Sequence, residues 1–84
     1  MMNPRVISVK PLNNYCLELG FSNHETRIFD VSPYLEKGIF CELKLPKMFN
    51  TVKVIDGTIQ WLNEADFCPD TLYLESTHIN NQII

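Results

Sequence analysis

Apolar and polar positions alternate through the first third of the chain, and a period of two is the signature of an extended strand with one covered face. Tyr15, Leu17, Leu19 and Phe21 fall on one side, Cys16 and Glu18 on the other. Residues 5–10 ahead of them carry Val6, Ile7 and Val9, β-branched side chains suited to a pleated surface. Pro11 has no N–H to offer a ladder, so it ends that strand or sets it at a sheet edge. Asn13-Asn14, and later Ser22, Asn23 and His24, interrupt the pattern before a third extended run over residues 25–29. Asparagine tolerates positive φ, which suits tight antiparallel connections, so the three runs predict a meander.

The pattern then changes. Over residues 30–38, Ser32 suits a helix cap, Pro33 a first helical position and Gly38 the residue past the end, which predicts one short helical turn. Residues 39–45 have apolar spacing that fits an extended or a helical segment equally. Residues 46–50 predict a second helical turn, with Pro46 at its start and Asn50 at its end. Residues 51–55 and 58–62 flank Asp56-Gly57, the pair that a type I′ hairpin turn prefers because both central residues need positive φ. Residues 71–76 read as a last strand, and 77–84 as a flexible polar tail ending in Ile83 and Ile84. The predicted class is α+β: mainly antiparallel β-sheet, about five or six short strands in a meander plus hairpin, with one or two short helical turns in the middle.

A length of 84 residues holds one domain, 1–84, with an ordered core expected over about 5–76. The 45% hydrophobic content with three glycines and five prolines belongs to a chain that buries a core. The net charge of -3, and the wide scatter of Arg5, Lys10, Arg27, Lys37, Lys44, Lys47 and Lys53, oppose direct binding of nucleic acid, which draws on concentrated positive charge. Neither a signal peptide nor a run long enough to span a bilayer is present in the pattern, so no membrane partner is expected. Cys16, Cys41 and Cys68 are odd in number and without a Cys-x-x-Cys pair, which fits free thiols in a reducing cytoplasm. His24 and His78 stand far apart, and no zinc spacing results, so neither metal nor cofactor is expected.

Chemistry-bearing residues gather in one stretch, WLNEADFCPDTLY, from Trp61 to Tyr73. Asp66, Cys68 and Asp70 mix hard carboxylates with one soft thiolate and match no common metal-ligand set. Cys68 as a nucleophile would need a cation or base beside it, whereas it has a carboxylate two residues away on each side. Acid–base work by Asp66 and Asp70 requires one of them buried and the other solvated. A simpler reading has Asp66 or Asn63 accepting backbone N–H bonds, Pro69 stiffening the loop, and Asp70 capping or turning into the last strand. Trp61 then belongs to the core, Cys41 and Cys68 are small apolar fillers, Cys16 is partly exposed, and His24 is solvated. An enzymatic or small-ligand alternative, built on Trp61, Asp66, Cys68 and Asp70, requires a concave pocket on which at least two of them converge.

The ordered set Phe29-Asp30-Val31, Tyr34-Leu35, Gly38-Ile39-Phe40, Leu43, Phe49 to Val54, Ile59-Gln60-Trp61, Asp66 and Pro69 to Tyr73 resembles an uncharacterised bacterial family, the domain of unknown function twenty-four forty-two. The resemblance runs from Val6 to Tyr73. Two positions depart from its pattern: Leu62 stands where the family often has proline and Glu64 where glycine is frequent, so a differently shaped loop is expected here. The resemblance implies a small α+β domain without established enzymatic activity, in which Trp61, Asp66, Pro69, Asp70 and Tyr73 occupy recurring positions of unknown role. It also implies, from some relatives, a neighbouring small protein in a toxin–antitoxin-like pair and, from others, a helix-turn-helix segment, which is not expected within these residues. The expected function is a non-enzymatic protein-interaction module, binding another protein or a second copy, with an accessory part in transcription regulation as an alternative.

Overall fold

Leu17, Leu19 and Phe21 are wholly shielded from solvent, as the alternation requires, and they anchor the first sheet. A computed structural model describes residues 3–78 of the chain. Strands β1 (Val6–Pro11), β2 (Cys16–Phe21) and β3 (Thr26–Asp30) form the expected antiparallel meander, with Val9 opposite Leu19 and Leu17 opposite Phe29. β1 lies at the border of the sheet, where Pro11 can be tolerated. A bulge between Val6 and Ser8 leaves Ile7 without a partner and 61% exposed. The connection after β1 is a 3-10 turn, Asn13–Tyr15, in which Asn14 (φ 66) and Tyr15 (φ 60) are both left-handed. The next connection places His24 at φ 71, exposed as expected.

A 3-10 turn spans Ser32–Tyr34, and its capping acceptor is Asp30, whose Oδ1 takes the Ser32 N–H at 2.9 Å; Ser32 itself does not cap. The ambiguous segment resolves as a 3-10 helix, Gly38–Lys44, which buries Leu43. Helix α1 (Pro46–Phe49) is the second helical turn, and it buries Phe49. Strands β4 (Lys53–Ile55) and β5 (Thr58–Gln60) flank Asp56 (φ 49) and Gly57 (φ 80), the two positive dihedrals of a type I′ turn. β6 (Asp66–Phe67) completes a second antiparallel sheet in the order β4-β5-β6.

The expected last strand over residues 71–76 is instead part of helix α2 (Pro69–Glu75). A strand would put Leu72 and Leu74 on one face, yet Leu72 is fully buried and Leu74 is 68% exposed. The physical reason lies at the helix start: Pro69 occupies the first turn with its φ already suited to it, and Asp70 lies where the helix dipole favours negative charge. Thr77–His78 then forms β7, which pairs with β3 through Ile28 and Arg27 and makes the first sheet β1-β2-β3-β7. The rest of the expected flexible tail, 79–84, lies outside the described residues. The α+β, mainly antiparallel class is the one observed.

One buried cluster joins the two sheets. Phe67 touches Phe29 edge-on at 4.9 Å and Trp61 at 5.9 Å between ring centroids, so the aromatic residues of β3, β5's end and β6 share one interior. At the border, Val6 N–H donates to Gly57 O at 2.9 Å and the Arg5 guanidinium donates to Asp56 O at 2.7 Å, which seats the hairpin turn against β1. Tyr34 ties the Ser32–Tyr34 turn to α2 by donating its hydroxyl to Glu75. That bond, then burial, then the Glu75 charge raise the Tyr34 pKa above its ordinary value of 10.0. A raised native pKa adds stability that is complete below the unfolded-state value of about 10 and is lost as pH climbs through the higher native value. Thermal melts between neutral and strongly alkaline pH are therefore expected to fall more steeply for the parent chain than for Tyr34→Phe, with the two curves converging at the alkaline end.

Candidate functional site

The stretch from Trp61 to Tyr73 folds as the end of β5, a turn, β6 and α2. Trp61 is 1% exposed and its indole N–H donates to Phe49 O at 2.9 Å, so this side chain belongs to the core and offers no platform to solvent. The turn after it is closed by two backbone bonds, Trp61 N–H to Ala65 O and Glu64 N–H to Trp61 O, both 2.9 Å. Asn63 is the side chain that shapes it. Its Oδ1 accepts from Ala65 N–H at 3.1 Å, and its Nδ2 donates to Glu42 at 2.8 Å, holding the turn against the 3-10 helix.

Glu64 adopts φ 72 in this turn. This is the left-handed conformation that glycine takes without cost, so Glu64 holds it under strain. Glu64→Gly relieves that strain but frees the unfolded chain, so a net gain of up to about 1 kcal/mol is expected in urea unfolding. Glu64→Val, β-branched at the same dihedral, is expected to lose more than about 1 kcal/mol.

Asp66, Cys68 and Asp70 are exposed, and the buried Phe67 separates Asp66 from Cys68. Asp70, which neither caps α2 nor leads into a strand, accepts from Asn3 Nδ2 at 3.2 Å in the helix's first turn. Cys41 and Cys68 are both exposed, which corrects their expected role as fillers: the 3-10 helix turns Leu43 inward, and Cys68 sits at the solvent-facing start of α2. Cys16 is half-buried beside Asp30, and desolvation, followed by that carboxylate, raises its thiol pKa from its ordinary value, the opposite of what activates a nucleophilic cysteine. Among the described residues no group of histidine, cysteine and carboxylate side chains is arranged to hold a metal ion.

Tyr73 belongs to a network that sequence reading did not find. Arg27, on β3, donates from Nε to Glu25 Oε1 at 2.9 Å and from Nη1 to the carbonyls of Tyr73 and Ser76 at 3.3 and 3.2 Å. Its guanidinium carbon lies 4.0 Å above the Tyr73 ring, whose hydroxyl donates to the same Glu25 oxygen at 3.0 Å. The arginine thus satisfies the Ser76 carbonyl, shares the Tyr73 carbonyl with the Ser76 hydroxyl, and clamps the end of α2 to the first sheet. Pro69 and Tyr73 therefore start and fasten α2.

A cavity of about 230 Å³ lies elsewhere, between the Asn13–Tyr15 turn and α1. Asn13, Asn14 and Asn50 line it with Tyr15, Pro46 and Phe49, and none of Trp61, Asp66, Cys68 or Asp70 does. The enzymatic reading of those four residues requires a shared pocket, and this cavity is not one: among the described residues Trp61 lies in the core while Asp66, Cys68 and Asp70 are exposed.

A family model described as protein of unknown function (DUF2442) matches residues 6–78. The chain belongs to this family. No curated protein and no solved structure matches it. The DUF2442 match begins with Val6 of β1 and ends with His78 of β7, so it takes in both sheets, the Arg27 clamp and both walls of the cavity. No helix among the described residues is long and apolar enough to cross a membrane.

Proposed function

We propose that this DUF2442 chain is a small, non-enzymatic protein-interaction module that pairs with another protein through exposed aliphatic side chains set among acids. The observation that supports this reading is the exposure of Ile7, Ile39, Leu45, Leu62 and Leu74, between 45% and 71% each. A single exposed leucine is ordinary, but five large aliphatics on so small a surface are a reserve of area that association would remove from water. Leu62 lies two residues before the exposed Glu64, and Leu74 lies one helical turn after Asp70 and beside Glu75. Such acid-rimmed apolar positions favour a basic partner, with charge steering the encounter and apolar contact holding the complex. The family resemblance suggests a small protein encoded next to this one, in a toxin–antitoxin-like pair; a cytoplasmic setting suits the exposed free thiols.

The test is co-expression with the neighbouring gene product, followed by size exclusion. A joint peak that weakens with salt, and separates when Leu62→Ser and Leu74→Ser are combined, is expected. Two proteins eluting apart at micromolar concentration count against a heterologous partner, and a mass of one chain for this protein alone would then remove self-association as well.

A further inference from the structure

Six asparagines lie among the described residues, and their side chains divide into two sets. Those of Asn3, Asn23 and Asn63 hydrogen-bond within the chain. Those of Asn13, Asn14 and Asn50 have no such bond, and these are the three that line the cavity beside α1. Each carboxamide offers donors and acceptors together, which is the complement of a peptide main chain.

The walls are fixed. Tyr15 donates its hydroxyl to Lys44 O, its ring meets Phe49 edge-on at 5.3 Å, and its carbonyl accepts from Val31 N–H at 2.9 Å. These contacts hold Asn14 and Tyr15 in consecutive left-handed conformations, an uncommon arrangement for residues other than glycine and one that concentrates at binding sites. No carboxylate, ammonium, guanidinium or imidazole lines the space, so a charged group entering it would lose water without gaining a counter-charge. Small-molecule sites run from roughly 300 to 1,000 Å³ and enclose most of their ligand. At about 230 Å³ and open to solvent, this cleft accommodates little more than one side chain.

We propose that the cleft binds an uncharged stretch of peptide from a partner protein, with one apolar side chain entering against Leu12, Tyr15 and Pro46 while the three exposed carboxamides exchange hydrogen bonds with the peptide backbone. This rests on the reading of the chain as a protein-interaction module and gives that module a site of its own, apart from Leu62 and Leu74.

A random peptide display library panned on the intact chain tests it, with selected peptides titrated into the ¹⁵N-labelled protein. Selected peptides are expected to carry an apolar residue with uncharged neighbours and to shift amide signals of residues 12–15 and 46–50. Asn13→Ala combined with Asn50→Ala, at two positions outside the left-handed region, is expected to weaken binding roughly tenfold without lowering the melting temperature. No enrichment over an unrelated protein, or equal binding by the double variant, overturns the proposal, as does a response of the same signals to millimolar glucose or adenosine but not to peptides. If the double variant fails to bind peptides yet still co-elutes with the neighbouring gene product, the cleft stands as a second peptide site. If the parent chain binds no peptide but co-elutes, the cleft fails while the module reading survives. Peptide binding without co-elution reverses that outcome for the neighbouring partner alone.

Discussion

Trp61→Ala is expected to cost about 3–5 kcal/mol, the range for removing a large aromatic from a packed core. The side chain is 1% exposed and meets both Phe49 and Phe67, so its loss opens a void bordered by both sheets and by α1. It also removes the donor to Phe49 O and leaves that carbonyl unpaired. Against the total of roughly 5–15 kcal/mol that holds domains folded, the variant is expected to show a strongly lowered urea midpoint in circular dichroism, or no cooperative transition. Trp61→Phe keeps most of the apolar contact and loses the indole N–H, so an intermediate loss of about 1–3 kcal/mol is expected. A Trp61→Ala chain as stable as the parent would show that the ring serves something other than the core.

The Arg27 clamp gives the second large effect. Arg27→Ala leaves the Tyr73 and Ser76 carbonyls and the Glu25 carboxylate without their shared donor and uncovers the Tyr73 ring. The arginine side chain is 17% exposed and that of Glu25 28%, so solvent compensates in part, and a loss of about 2–3 kcal/mol is expected. Arg27→Lys restores the charge but cannot span three acceptors with a planar fork and should recover less than half of it. Tyr73→Phe, which removes only the hydroxyl bond to Glu25, is expected to cost about 1 kcal/mol. Hydrogen exchange separates this from a general loss: amides of α2 and β7 should open first in Arg27→Ala, with β1 and β2 protected as before.

The parts of this fold legible in the sequence are those governed by near neighbours. Period-two alternation placed Leu17, Leu19 and Phe21 inside, and Asp56-Gly57 placed the hairpin turn, because strand facing and turn dihedrals are set within a few residues. Helix α2 is hidden in the sequence because Thr71 and Tyr73 favour strands and Pro69 suits a stiff loop as well as the first turn of a helix. The Arg27 and Tyr73 network joins residues 46 apart, and no local pattern announces it. Asn13, Asn14 and Asn50 are legible as turn formers, which they are; that all three line one cleft depends on how the first connection meets α1. Of the two side chains that could turn the chain after Trp61, Asp66 and Asn63, it is Asn63 that accepts a backbone N–H, whereas Pro69 and Asp70 belong to a helix.

The flank formed by β1 limits how copies of this protein can meet. One amide there is already spent on the hairpin, Ile7 is thrown out of register, Lys10 is solvated and Pro11 has nothing to donate. A stray extended segment therefore finds no continuous row of partners along it, and growth of ribbons or fibrils from that side is discouraged. Concentrated solutions of the folded chain should stay free of thioflavin-positive material, and visitors on that flank must be recognised by their side chains.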